Sequence, residues 1–259
     1  MSKRLFLICF FICSLIASVA SASGTDIAAG QITVRGFGAV PAAKDTAAQG
    51  RMPARRAALL DGYRQLAESV QGVRVDAQTT VRNMQAVNDE VNTRVDALVK
   101  GAQPVEEVFN PGVGYEIVLT LPVFGVEGCL AEALLTPQVT EPVPTVAGAF
   151  YKGGYTGVVV DCSGLSLATA MSPVIFNDLG QKIYGYQQLD YQQVISRGVT
   201  GYVRNGEEYE RAGAQPLYLK AVRVEGGVNP VLTRADSDRL LAENQQTHFL
   251  ELGNVVFIR

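Results

Sequence analysis

The chain has 259 residues, 22 of them lysine or arginine and 25 aspartate or glutamate, for a formal net charge of −3; that balance excludes the basic face needed to hold nucleic-acid phosphates. With 47 % hydrophobic residues it can build a sizeable core, and its length exceeds a typical domain of roughly 100 to 150 residues, so two domains are expected. One histidine, four cysteines and no tryptophan leave too few ligands for a zinc-type site and no tryptophan platform for sugars, so no metal or other cofactor is expected.

Lys3 and Arg4, the apolar run Leu5 to Ala17 and then Ala20-Ser21-Ala22 have the layout of a cleavable secretory signal peptide over residues 1–22, which implies a periplasmic location. The run is shorter than the roughly 20 residues that span a bilayer, and no later stretch reaches that length, so no integral membrane segment is expected in the mature chain. Cys9 and Cys13 follow Leu7-Ile8 and Phe11-Ile12, without the small residue that a lipid-attachment motif needs. Any outer-membrane association would therefore come without a lipid anchor. Beyond residue 22 the basic count falls to 20 against 25 acids, a net charge of −5. Only Cys129 and Cys162 then remain, and in an oxidising compartment they would either bond to each other or stay as two buried thiols. A bond needs Cα atoms roughly 5.5 Å apart, which sequence spacing does not report.

Residues 23–135 predict a first domain. Ile32, Val34 and Gly36-Phe37-Gly38 suggest a strand, and from Pro53 the positions Leu59, Leu60, Tyr63, Leu66, Ala67 and Val70 follow a helical period up to Gly72. Val73, Val75, Ala77, Thr79 and Val81 alternate with polar residues, as in a half-buried strand. Val87, Val91, Val95, Leu98 and Val99 return to helical spacing and Gly101 closes that helix. Strands over Val105 to Phe109 and Tyr115 to Pro122 follow, joined by the turn-forming Asn110-Pro-Gly-Val-Gly114.

Three prolines within Thr136 to Thr145 mark an extended linker over residues 136–148. Residues 149–259 predict a second, strand-rich domain. Its strands run over Tyr155 to Asp161, Val174 to Phe176, Lys182 to Tyr186 and Leu217 to Val224, with a hairpin connection at Asn177 to Gly180. Thr233 to Asp236 outlines a helix cap before Leu240, Leu241 and Phe249, Gly253 and Asn254 break that helix, and Val255-Val256-Phe257-Ile258 reads as a buried final strand. The fold class is α+β, two domains that are each a mostly antiparallel sheet with helices packed on one face.

Chemistry is sparse. His248 stands near a helix end, where a positive imidazole would complement the dipole, rather than in a triad. Gly36-Phe37-Gly38 lacks the third glycine of a dinucleotide loop, Pro41 standing in its place, and reads better as a bulge or a close backbone approach at the strand end. Asp161-Cys162-Ser163-Gly164 lacks the leading glycine of a nucleophile elbow. Asp161, Asp178 and Asp190 would form a carboxylate site only if the fold converged them. Tyr184, Tyr186 and Tyr191, among Gln187, Gln188, Gln192 and Gln193, form a polar-aromatic stretch that is either an interaction surface or a half-buried strand.

The run Ala54 to Val75, with its central Asp61-x-Tyr63, its Leu66-Ala-Glu68 and its Gly72-Val73, resembles the twenty-kilodalton lipoprotein family of bacterial envelope proteins. It is also similar to the N-terminal domain of the flagellar H-ring assembly protein. Val99-Lys-Gly-Ala102 and Leu119 to Gly125 extend the resemblance over roughly residues 31 to 135. The stretch from Ala235 to Phe257 looks like the end of longer members. The resemblance implies a non-enzymatic role at the periplasm or outer membrane, connected with flagellar outer rings or surface assembly, and it carries over no catalytic residue. The expected function is an assembly or scaffolding factor that binds envelope proteins or forms a homo-oligomer. The alternatives are a small-ligand-binding module between the two domains and a hydrolase using Asp161 and Asp178.

Overall fold

The computed structural model describes residues 25–40, 47–125, 127–147, 153–205 and 207–259. The signal peptide expected over residues 1–22 lies outside the described residues.

Strand β1 (Gln31–Ala39) alternates strictly between exposed and buried positions, and its inward side carries Ile32, Val34, Gly36 and Gly38. Helix α1 (Ala47–Gln71) begins six residues before Pro53, which sits inside the helix. Its buried side presents Ala54, Ala58, Leu66 and Val70, while Leu60 faces solvent. The glycines of β1 and the small residues of α1 meet: a Cβ on Gly36 would lie 2.5 Å from the Gly62 nitrogen, and one on Gly38 2.6 Å from the Ala58 nitrogen. The expected close approach is therefore between backbones of strand and helix.

The strand expected over residues 73–81 does not form. Asp76 accepts hydrogen bonds from the Gln78 and Thr79 amides, Val75 N–H reaches Thr79 C=O, and a single bridge joins Arg74 to Thr80. An Asp side chain that satisfies amides two and three residues on closes a turn instead of extending a strand. Thr80 then caps α2 (Val81–Val87), and Asn88, extended at φ −141°, caps α3 (Asp89–Gly101) through the Glu90 and Val91 amides. The single expected helix is thus two, with Val87 exposed and Val91, Val95 and Val99 buried on one stripe. Strands β2 (Pro104–Asn110) and β3 (Gly114–Pro122) complete an antiparallel sheet in the order β1-β3-β2.

After α4 (Leu130–Leu134) the chain runs through β4 (Gly157–Asp161), β5 (Ile175–Asn177), β6 (Lys182–Tyr184), α5 (Tyr191–Arg197), β7 (Gly201–Val203), β8 (Pro216–Lys220), β9 (Arg223–Glu225), β10 (Asn229–Leu232), α6 (Arg234–Thr247) and β11 (Val255–Ile258). The class is α+β, but the second half departs from the mostly antiparallel sheet expected of it. Its sheet β7-β11-β4-β8 is parallel at every pairing, and β6-β5-β10-β9 is mixed, with β10 parallel to β5. Strands buried on both faces carry continuous rather than alternating apolar residues. Val158-Val159-Val160 and Val255-Val256-Phe257-Ile258 do so, and all seven are buried.

The halves do not stand apart. Buried residues from Ile27 to Phe257 join in one contiguous cluster. Met171 and Ser172 donate backbone hydrogen bonds to Arg74 and Val75, at 3.0 and 2.8 Å. The proline-rich segment has no regular structure between residues 136 and 146, yet it is docked: Glu141 N–H reaches Gln187 C=O at 2.7 Å, Val143 is buried, and Gln245 Nε2 donates to Val146 C=O.

A methyl group at Gly36 should force β1 and α1 apart. Gly36→Ala is expected to lower stability by about 3 kcal/mol, whereas Gly101→Ala, which meets open space, should change it by less than about 1 kcal/mol. Urea denaturation midpoints check both.

Candidate functional site

The first sheet has two unlike edges and two unlike faces. Beside β1, the Asp61 carboxylate accepts the Phe37 N–H at 3.0 Å, and Gln65 Nε2 donates to the Arg35 carbonyl at 2.8 Å. Helix side chains thus occupy backbone groups that an edge strand would otherwise offer to another chain. Arg64 and then the Phe37 amide hold the Asp61 carboxyl below its ordinary range, keeping it an acceptor. Tyr63, the other motif residue, donates to Ala102 C=O at 3.2 Å and ties α1 to the end of α3. Among the described residues no comparable cover lies over β2, where Val105 and Val108 are exposed.

Helix α1 covers the inner face. There Arg55 forks onto Glu107 at 2.6 and 2.8 Å, Tyr115 Oη donates to the same carboxylate at 2.7 Å, and Arg51 lies 5.6 Å from the Phe109 ring centre. Among the described residues the outer face is left largely open, though Val118 at its centre is buried. Register places Arg35, Val118 and Glu106 in one row across it, and Phe37, Glu116 and Val108 in the next. Phe37 is 51 % exposed and Val108 40 %, and Arg35 pairs with Glu116 at 3.0 Å. An aromatic and a valine on the solvent side of a sheet are what a protein contact uses. The signal was in the sequence: Phe37 follows Gln31, Thr33 and Arg35 on the exposed side of a strand that ends at Ala39.

A concavity of about 510 Å³ opens where α3, α4 and the start of the proline-rich segment meet α5. Leu98, Cys129 and Pro137 line its apolar part, and Arg94, Glu132 and Tyr191 its polar part. Glu132 is already used by the Gly128 amide at 2.7 Å, and Arg94 by Glu90.

The residues singled out in the sequence are mostly structural. Cys129 and Cys162 are both buried free thiols, so the bridge is not formed. Cys129 precedes α4 beside Tyr191, whereas Cys162 follows β4 beside Tyr202, and burial pushes the Cys162 thiol up to about 12. Tyr184 is fully buried with its hydroxyl on Val199 C=O at 2.6 Å, and Tyr186 is buried with its hydroxyl on Thr136 C=O at 2.6 Å. They are not an interaction surface, because each phenol is spent on a backbone carbonyl of the fold. Tyr191 is half-buried on the cleft, 3.5 Å from Leu135 C=O.

The three aspartates sit at three different elements. Asp161 accepts from the Ser163 amide at 2.8 Å, and its Ser163 hydrogen bonds hold its carboxyl below the usual range. Asp178 is exposed in the turn between β5 and β6, and Asp190 caps α5. His248 ends α6 in the left-handed conformation at φ 52°, exposed, with Glu251 3.5 Å from Nδ1. The described residues contain no group of three or more metal-binding side chains, and none of their helices is long and apolar enough to cross a membrane.

Residues 25–122 match the family model described as LPP20 lipoprotein, and residues 157–259 match the one described as the second domain of Treponema pallidum Tp0624. No curated protein matches the chain. Over its first half the chain is therefore similar to a family of lipoproteins, which points to the cell envelope.

Glu107 should report on the inner face by its titration. Arg55, then Tyr115, lower its pKa from the ordinary 4.5 to about 2. A carboxylate depressed on folding contributes stability that is complete above the unfolded value and lost as pH falls through the folded one. Glu107→Gln should therefore lower the urea midpoint at neutral pH and flatten its fall between pH 4.5 and about 2, measured on both proteins across that range.

Proposed function

We propose that this chain, of the LPP20 lipoprotein family in its first half and resembling the Tp0624 second domain in its second, is a non-enzymatic assembly or scaffolding factor in the periplasm. It binds other envelope proteins through the outer face of the sheet β1-β3-β2. One observation carries this reading: α1 covers the β1 and β3 part of the inner face and the β1 edge, while Phe37, Val108 and the charged pair Arg35–Glu116 stay exposed on the other face. Asp161 serves its own turn and Asp190 caps α5, while Asp178 stands exposed in a separate turn, which favours binding over hydrolysis. Surface appendages such as the flagellar outer rings are the setting that the family resemblance favours.

A photo-reactive amino acid at position 37 should give adducts heavier than the chain itself in intact cells, and the same group at the exposed Tyr218 should not. Equal labelling at both positions, or none when positions 37, 35 and 108 are probed in turn, would end this reading.

The cleft beside α4 supports a second one, a small-ligand module at the junction of the two halves. Its volume of about 510 Å³ lies in the range of small-molecule sites, roughly 300 to 1,000 Å³. A ligand at a hundredfold its Kd would stabilise the protein by about 2.7 kcal/mol. A compound from a metabolite panel should then raise the melting temperature of the wild type and leave Ala97→Trp, which fills the cleft, unmoved; a flat response across the panel counts against it.

A further inference from the structure

The outer face of the first sheet carries a charge pattern that fits itself, and we propose that it docks on the same face of a second copy of this chain, about a two-fold axis running along β3. This rests on the reading of that face as a binding surface and names its partner.

Two sheets whose strands stay aligned, as in most face-to-face packings, can meet about a two-fold axis in two ways. With the axis across the strands, β1 lies on the partner's β1 with its direction reversed, and Arg35 falls either on its own equivalent or on the partner's Phe37, never on an acid. With the axis along β3, β1 lies on the partner's β2. Register decides what then meets. Arg35, Val118 and Glu106 share one row, so Arg35 falls on the partner's Glu106 and Val118 on its own equivalent. Phe37, Glu116 and Val108 share the next row, so the exposed phenylalanine falls on the partner's exposed valine. Only the second arrangement joins opposite charges and apolar side chains together.

Glu116 approaches its own equivalent near the axis, but each is already held by its own Arg35 at 3.0 Å. Glu106, by contrast, is exposed and makes no ion pair among the described residues, which leaves it available to a second arginine.

The extent of the face sets the strength. Nine residues at about 3.4 Å each and three strands about 4.8 Å apart give a patch of roughly 400 Å². That is about half of the ~800 Å² per partner in a lasting complex. The dimer is therefore reversible and forms with rising concentration.

Sedimentation velocity of the purified protein over a wide concentration range tests this. The wild type should shift from monomer to dimer, and Arg35→Glu and Glu106→Arg alone should each weaken self-association at least about tenfold, since each puts like charges in two symmetric contacts. An equimolar mixture of the two single variants should recover it, because in the mixed dimer both contacts are again of opposite charge. Thermal melts of each variant establish that it is folded. A wild type monomeric at every concentration, single variants that dimerise as the wild type does, or a mixture that stays monomeric overturns the proposal. If the wild type is monomeric and position 37 still gives adducts in cells, the second copy is excluded and the binding face stands. If neither occurs, both fall.

Discussion

The first half of the molecule depends on a contact made possible by missing atoms. Gly36 and Gly38, two apart on β1, face Ala54, Ala58 and Gly62, four apart on α1. Four residues of helix rise about 6 Å and two residues of strand about 6.8 Å, so the two series stay in step along the contact. With no Cβ on the strand side, the helix axis comes close enough for its polar side chains to reach the strand's backbone. Asp61 and Gln65, again four apart, then serve Phe37 and Arg35, again two apart. Gly62 in turn leaves the space into which Leu119 of the central strand projects.

That close approach makes the sheet one-sided. A helix seated on the inner face and gripping β1 uses up one face and one edge, and the described residues leave the rest largely open. The inner face is held by a charged fork, Arg55 to Glu107, together with the Tyr115 hydroxyl. The outer face keeps an aromatic ring, a valine and separated charges in solvent. The asymmetry follows from the packing of α1, and it is the reason this surface is available for recognition.

The second half works differently. Its parallel strands have no hairpins to set their order, so their neighbours come from segments far apart in sequence: β4 lies between β8 and β11, and β11 next to β7. The polar-aromatic stretch near residue 186 becomes a clasp. Tyr186 and Gln187 hold the proline-rich segment against the second half through Thr136 and Glu141. A segment whose composition reads as a spacer is thereby part of the body, and the halves share one apolar cluster.

Local signals were legible in the sequence because local forces decide them. The alternation of β1, the valine stripe of α3, the β2–β3 hairpin, the Thr233 cap and the helix-end position of His248 all follow from residues within a few places of one another. Even the buried character of β4 and β11 showed in their unbroken apolar runs. The residues 73–80 misled because an alternating pattern is shared by a strand and by a turn that Asp76 closes with its own side chain. What only the tertiary structure decided were the non-local choices: which strands run parallel, that Cys129 and Cys162 settle in different surroundings, that Tyr184 and Tyr186 turn inward, and that the far side of the first sheet stays open. Each depends on which distant segment arrives as a neighbour, and the energy that selects it comes from burying surfaces the chain brings together only once it is folded.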